Sequence, residues 1–355
     1  MFVYQKSNVH LENFLTPIMK ILFIGGTGTI STAVSRKTLA EGHELYLLNR
    51  GNRNEILPEA KCLKADINDE KHVAELIKKL DFDVVADFIA FTPDHVERDF
   101  RLFNGKTRQY IFISSASAYQ KPPVQHIITE NTPLHNPFWQ YSRNKIACEE
   151  YLRQVYRESS FPITIVRPSH TYDERAVPLG VHGEKGSWQV IERMLKGKPV
   201  IIHGDGTSLW TMTHARDFAG GFFGLLGNPA AIGESVHITS DESLTWNQIY
   251  KHIANALGIK LYATHTSSEF LSESCYFDIR SGLFGDKSNS IVFDNSKIKR
   301  LVPGFAATTT FAQGVKETVD YVLAHPELQT PDKEFDFWCD KMLEARHASA
   351  IFVGY

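Results

Sequence analysis

Tyr141 and Lys145 stand four residues apart in the helical stretch Tyr141-Ser142-Arg143-Asn144-Lys145, so both side chains project from one face of a helix. A phenol whose ordinary pKa is about 10 is a poor base at neutral pH. An ammonium group one turn away, helped by the positive charge of an oxidised nicotinamide, favours the phenolate and suits it to general acid/base work. The same lysine can hold the nicotinamide ribose. Such a spacing also arises by chance on a solvated helix face, so its position matters. Ser114-Ser115 closes the apolar run Tyr110-Ile111-Phe112-Ile113 upstream of the pair, and the carboxyl ends of strands are where open parallel sheets place their ligands.

A second chemical feature precedes these residues. The apolar run Ile21-Leu22-Phe23-Ile24 drives into Gly25-Gly26-Thr27-Gly28-Thr29-Ile30-Ser31, a buried strand leading to a glycine turn that opens a helix over about 30–40. Gly25 permits the tight turn, Gly28 removes a Cβ so that N–H groups can approach phosphates, and the helix adds its positive end; together they suit a dinucleotide pyrophosphate. Alone, the turn is also common as structural punctuation. Ser31 stands where the G-x-x-G-x-x-G pattern has its last glycine, which asks for a looser helix–sheet contact.

Elements of the right kind surround these residues. Strand-like runs at 20–25, 44–49, 61–65, 83–89, 109–114 and 162–168 alternate with helical stretches, the rhythm of an α/β, Rossmann-like doubly wound parallel sheet. After Arg167-Pro168 glycine and proline recur, and regular elements return in patches up to a helix near 308–324. The expected organisation is an N-terminal extension over 1–18 and a dinucleotide-binding domain over 19–171, to which 213–238 return. A smaller, mixed α/β substrate lobe covers 172–212 and 239–325, and a tail over 326–355 packs on the body or on a second subunit.

Size and composition bound the function. The chain has 355 residues, 43% of them hydrophobic, and a formal net charge of -3, so it can bury a large core and has no global attraction to nucleic acid or anionic membranes. A small molecule is the better partner. Cys62, Cys148, Cys275 and Cys339 show no C-x-x-C spacing, which argues against a zinc ribbon, any other metal site of that kind or a disulfide framework, and suits a reducing cytoplasm. His10, Glu12 and Asn13 interrupt what a signal peptide needs. The most apolar stretch, 218–227, falls short of the about 20 residues of a membrane helix and reads as a core helix.

Taken in order, the glycine turn, Ser-Ser-x-x-x-Tyr (Ser114 to Tyr119), Tyr-x-x-x-Lys and Arg167-Pro168 resemble the extended short-chain dehydrogenase/reductase family of the nucleotide-sugar epimerase and dehydratase type, over residues 20 to 325. The resemblance implies that Ser115 orients the substrate oxygen, Tyr141 is the general acid/base and Lys145 its activator. It implies a cofactor surface made of Gly25, Thr27, Gly28, Thr29, Ile30, Asn49, Arg50, Arg53, Asp66, Ile67, Phe88, Ile89, Ala90, Ser114, Tyr141, Lys145 and Pro168. Asp66 faces the adenine in that reading; an aspartate capping the turn after its strand is the equal alternative. Asp87 replaces the family's usual histidine.

Other departures bear on the substrate. Ala116 and Ser117 occupy the positions of the dehydratases' acid pair, and neither can protonate a leaving hydroxyl, so a 4,6-dehydratase is disfavoured. Trp210 and Thr211 replace the Arg-Asp that holds a substrate diphosphate; a tryptophan stacks on a sugar but neutralises no phosphate. A substrate without a nucleotide diphosphate is thus expected, unless cations such as Arg175, Lys185, Arg280 or Lys287 take over. Ser117, His170 and Trp210, with the glycine-rich segment 180–186, are the expected substrate contacts; for His170 a satisfied core histidine is the alternative. Asn49-Arg50 ends the second strand without the carboxylate that repels a 2′-phosphate, which favours NADP, with NAD as the alternative.

The expected activity is hydride transfer from a secondary alcohol of a sugar-like substrate, as an epimerase or as a dehydrogenase/reductase, in a cytoplasmic homodimer that pairs through the helix bearing Tyr141. The alternative is a cofactor-binding protein without turnover, regulatory or resembling the plastid RNA-binding members of the superfamily that share the ending Asn49-Arg50-Gly51.

Overall fold

In a computed structural model of the chain, which describes residues 17–52 and 57–352, the six strand-like runs form a parallel sheet. β1 (Lys20–Ile24), β2 (Glu44–Asn49), β3 (Lys61–Lys64), β4 (Val84–Asp87) and β5 (Tyr110–Ile113) alternate with the helices α1 (Thr29–Ala40), α2 (Glu70–Leu76) and α3 (Pro93–Phe103). After the short β6 (Ile127–Ile128) and the long α4 (Gln140–Ser159), β7 (Ile163–Pro168) extends the sheet. A seventh strand, β12 (Ser235–Ile238), comes from much later in the chain. The order is β12-β7-β5-β4-β1-β2-β3, and the order of strands reverses between β1 and β4, where a crevice opens beyond the carboxyl ends.

The sequence dictates this arrangement through burial on two faces. Ile21, Leu22, Phe23 and Ile24 are all fully buried, as a central parallel strand covered by helices on both sides requires. On one side Leu22 and Ile24 meet Val73, Val96 and Phe103 of α2 and α3 and Cys148, Leu152 and Val155 of α4. On the other, Ile21 and Phe23 meet Val34 of α1 and Phe218 and Phe222 of α6, the helix that covers Ala215–Phe223. The apolar stretch that begins at Phe218 is therefore a core helix. No helix among the described residues is long and apolar enough to cross a membrane.

The second half builds another core. β8 (His170–Tyr172), α5 (Trp188–Leu195), β9 (Val200–His203), β10 (Leu209–Trp210) and β11 (Met212–His214) precede α6, and β12 (Ser235–Ile238) then joins β7 in the main sheet. Trp210, Trp246, Tyr250 and Phe311 gather in this core with Phe335 and Trp338. The last two belong to the helix Lys333–Phe352, which docks on α5 through the ion pair of Arg193 with Asp336, 2.5 Å. The helix near 308–324 begins at Phe311, capped by the Thr310 hydroxyl and the Gln313 side chain.

Candidate active site

The glycine turn leaves β1 at the reversal point. Gly25 and Gly26 adopt φ of +98° and +90°, conformations that glycine alone takes without cost. A Cβ on Gly26 would stand 2.5 Å from Leu47 Cδ2, and one on Gly25 3.1 Å from Ile89 Cγ2. Gly26 is thus the most constrained residue of the turn, although the reading of Gly25 and Gly28 passed over it; the Gly-Gly doublet was its signal. Ser31 does more than loosen a contact, because the Gly28 N–H donates to its Oγ at 2.8 Å. Thr29 and Ile30 form the first turn of α1, whose N–H groups have no partner within the helix.

A cavity of about 630 Å³ opens beside this turn. Its wall includes Gly25, Thr27, Gly28, Asn49, Arg50, Asp66, Ile67, Phe88 and Ile89, so nine of the residues expected on the cofactor share one surface. Arg53 lies outside the described residues. Asn49 is committed to the turn: its Oδ1 accepts from the Gly51 N–H at 2.7 Å and its Nδ2 approaches the Gly25 carbonyl at 3.5 Å. Asp66 lines the cavity while its Oδ1 caps the turn, accepting from the Asn68 N–H at 2.9 Å. The positive-φ cradle, the helix end and the polar wall fit the dinucleotide that the sequence implies.

Asp87, at the end of β4, explains why no histidine is needed there. Its Oδ1 accepts from the N–H groups of Ile89 at 2.5 Å and Ala90 at 2.9 Å, which folds the segment 88–90 back along the cavity. Burial and the neighbouring Asp99 hold the Asp87 carboxyl well above its ordinary range, and Arg98 stands between the two carboxylates. The turned segment presents the Ala90 carbonyl to Lys145, whose Nζ donates to it at 2.6 Å and to the Ile113 carbonyl at 2.7 Å.

Tyr141 and Lys145 do share a face of α4, with the ammonium 5.6 Å from the phenol ring centroid. Burial dominates both groups: it pushes the Tyr141 phenol up to about 12 and the Lys145 ammonium down to about 8. What pulls the phenol back is the neighbouring Ser115 hydroxyl. Lys145 directs two of its three ammonium protons to carbonyls and keeps the third for a further acceptor. The Phe91 ring joins this pair to the cavity wall, 6.4 Å from Tyr141 and 4.8 Å from the Lys145 ammonium.

Ser115 is in turn held by a chain of hydroxyls. Its Oγ accepts from the Ser117 N–H at 3.1 Å and lies 2.9 Å from Ser117 Oγ. Ser142 Oγ donates to Ser117 Oγ at 2.7 Å, which leaves the Ser117 proton free to point at Ser115 and the Ser115 proton free for Tyr141 or a substrate oxygen. Ser117 is therefore a buried link behind Ser115 and not a wall of a substrate pocket. Ser142 was missed, although its place directly after Tyr141 puts it on the same turn of α4. Ser114 also faces away from the cavity, because its Oγ donates to Glu149 Oε1 at 2.6 Å. Glu149 accepts two buried hydrogen bonds from the Arg167 guanidinium, 2.8 and 2.5 Å, clamping α4 to β5 and β7 and so fixing Tyr141 and Lys145; Pro168 follows at the end of β7.

Two expected substrate contacts fare differently. Trp210 is 1% exposed and stacks on Trp246 with ring centroids 5.7 Å apart; it belongs to the second core and offers no face to a ligand. Its Nε1 donates to His170 Nδ1 at 3.4 Å, and burial with Lys287 and His182 lowers the His170 imidazole to about 3, so His170 is a neutral, partly satisfied histidine. Gly180 packs on His203 and Trp246, and Gly183 on Asp332 and Phe335, so neither lines a pocket. Of the alternative cations, Arg175 is tied to Asp173 and Arg280 lies over Phe284; Lys287 acts on His170.

The profile of the NAD dependent epimerase/dehydratase family matches residues 21–239, which hold the glycine turn, Ser115, Tyr141 and Lys145. The chain belongs to this family. It is 25% identical over 288 residues, 81% of this chain and 80% of the other, to a 2′-dehydrokanamycin reductase of Streptomyces kanamyceticus. It is 27% identical over 233 residues, 61% of this chain and 66% of the other, to an N-acetyl-alpha-D-glucosaminyl-diphospho-ditrans,octacis-undecaprenol 4-epimerase of Escherichia coli O157:H7. The fold matches a UDP-glucuronic acid 4-epimerase of Bacillus cereus solved with NAD, TM-score 0.69 and 19% identity, over 88% of this chain and all of that one. The NAD-dependent enzyme reading of the family member stands, and the reading without turnover is not favoured.

Proposed function

We propose that this family member interconverts a secondary alcohol and a ketone on a sugar-like substrate, as an epimerase or a reductase, with Tyr141 as the acid/base. The observation that carries this is the hydroxyl chain from Ser142 through Ser117 to Ser115, whose last hydroxyl acts on the Tyr141 phenol one aromatic contact beyond the dinucleotide cavity. An oxidised nicotinamide, when bound, would supply the hydride acceptor and a positive charge in the pocket. Within that field Tyr141 takes the proton of the substrate hydroxyl, Ser115 donates to the substrate oxygen, and Lys145 holds the ribose and the segment that ends at Ala90. Residues 172–212 and 239–325 form the lobe that closes over the substrate.

Arg50 on the cavity wall, beside an Asn49 that brings no carboxylate, supports NADP as the dinucleotide over the family's NAD. A cytoplasmic homodimer paired through α4 completes the reading. The deciding experiment is mass spectrometry and absorbance of the purified chain for retained nucleotide, followed by a panel of free, phosphorylated and nucleotide-linked sugars scored for cofactor reduction or epimer formation. A retained oxidised cofactor with epimer formation identifies the epimerase cycle, whereas net oxidation of added NADPH identifies a reductase. No turnover across the panel together with no nucleotide binding would overturn the proposal.

A further inference from the structure

Among the described residues Lys121 is the one ammonium that is buried with no hydrogen-bond partner: it is 1% exposed and its Nζ bonds to nothing. It follows the loop of Ser115 and Tyr119, and its own backbone is held by the N–H bond to the His135 carbonyl, 2.8 Å. Opposite it runs Gly285-Asp286-Lys287, tied to that loop by Asn136, whose Nδ2 donates to the Ser117 carbonyl and the Gly285 carbonyl, both at 2.7 Å. Asp286 is the charged group that acts on Lys121, and the same carboxylate acts on Tyr141. Lys287 acts on Asp286 and on His170, His182 and His203.

Lys121 has no partner that holds its charge. Burial lowers its ammonium, and Lys287 and Asp286 are only half-buried. Burial also raises the Asp286 carboxyl, so it is a weak counter-ion, and the imidazoles of His170, His182 and His203 are lowered. A structural ion pair would bond Lys121 directly, and Lys121 bonds to nothing. A substrate hydroxyl would satisfy the hydrogen bond but leave the charge; an anion satisfies both.

Resting on the reading of Tyr141 as the acid/base, we propose that Lys121, with Asp286 and Lys287, forms a subsite beside Tyr141 for an anionic oxygen group of the substrate, a carboxylate or a phosphate. Lys121 donates to the anion, Lys287 completes its neutralisation, and Asp286 keeps the two ammonium groups apart and accepts from a neighbouring substrate hydroxyl. The anion thereby sets the register of the sugar against Tyr141.

The test is calorimetry on the full chain, saturated with its cofactor, using glucose, glucuronate, glucose 6-phosphate and UDP-glucose as probes, for the unmodified protein, Lys121→Met and Lys121→Gln. Cofactor binding by each variant verifies that it folds. At least one anionic probe should bind about 10- to 100-fold more tightly than glucose, the usual scale of a charge-assisted hydrogen bond, and this advantage should fall below about 3-fold in whichever variant folds. The probe that shows the gap identifies the source: glucuronate a carboxylate, glucose 6-phosphate a sugar phosphate, UDP-glucose a diphosphate. No advantage for any anion in the unmodified protein, or an advantage kept in a folded variant, overturns the subsite. Because binding is read rather than turnover, failure of the hydride chemistry leaves this comparison intact, and failure of the subsite leaves turnover intact.

Discussion

Removing the Ser115 hydroxyl tests the directed chain at its working end. The phenol of Tyr141 is pushed up to about 12 by burial, and the Ser115 hydroxyl is what opposes that push. The preference of that hydroxyl for the charged phenolate over the phenol, the difference between a charge-assisted and a neutral bond, is roughly 0.5–1.5 kcal/mol and corresponds to about 0.4–1.1 pH units, at 1.36 kcal/mol per unit. The sign follows from which form the bond favours. Ser115 donates to the phenolate, so Ser115→Ala destabilises the base form and raises the phenol's pKa. For alcohol oxidation, which needs that base form, the rising limb of the kcat profile moves to higher pH, and the variant is roughly 2- to 12-fold slower below the limb.

Two further substitutions grade the effect. Ser117→Ala keeps the backbone N–H that donates to Ser115 but removes the hydroxyl 2.9 Å away, so only the polarisation of Ser115 is lost, about 10–30% of a bond. Ser142→Ala, one link further back, should shift the limb least. Both also leave a buried hydroxyl with one partner fewer and cost roughly 1–3 kcal/mol of stability, which urea melts report independently of rate. The assay is the pH dependence of kcat for oxidation of the substrate found in the sugar panel. A limb that stays in place in Ser115→Ala, or one that moves furthest in Ser142→Ala, refutes the chain as a device acting on Tyr141.

Three other outcomes follow. Tyr141→Phe keeps the ring contacts with Phe91 and Trp139 and should slow the chemical step by about 10²–10⁴-fold with cofactor affinity retained; an unmodified rate would remove Tyr141 from its role. Arg50→Ala should weaken NADP(H) by roughly 1.5–3 kcal/mol and leave NAD(H) nearly unchanged, and equal losses in calorimetry would end the argument for NADP. Trp210→Ala should destabilise the chain by about 3–5 kcal/mol in urea melts, since Trp210 packs in the core; a loss of sugar affinity at unchanged stability would instead return it to the substrate pocket.

What was legible in the sequence is what local pattern decides. Strands buried on both faces, such as Ile21 to Ile24, read as unbroken apolar runs, and a turn that needs positive φ writes glycine at Gly25 and Gly26. Tyr141 and Lys145 were legible because helical spacing alone brings them together. The second half was not, because its contacts join distant segments: Trp210 meets Trp246, and Asn136 bridges Ser117 to Gly285. A tryptophan in a glycine-rich stretch looks the same in sequence whether it faces a sugar or a second tryptophan, and only the tertiary partner separates the two.

The same limit applies to the charges. From sequence, Lys145 sits one turn from Tyr141 and is expected, together with an oxidised nicotinamide, to favour the phenolate. The fold buries both groups, and the cost of desolvation then exceeds the pairwise attraction, with two of the Lys145 protons directed to Ala90 and Ile113. On the proposed mechanism an oxidised nicotinamide would add its positive charge beside Tyr141 and favour the base form, whereas the reduced form, without that charge, would favour the protonated phenol that donates to a ketone. One buried phenol would then serve both directions of the reaction.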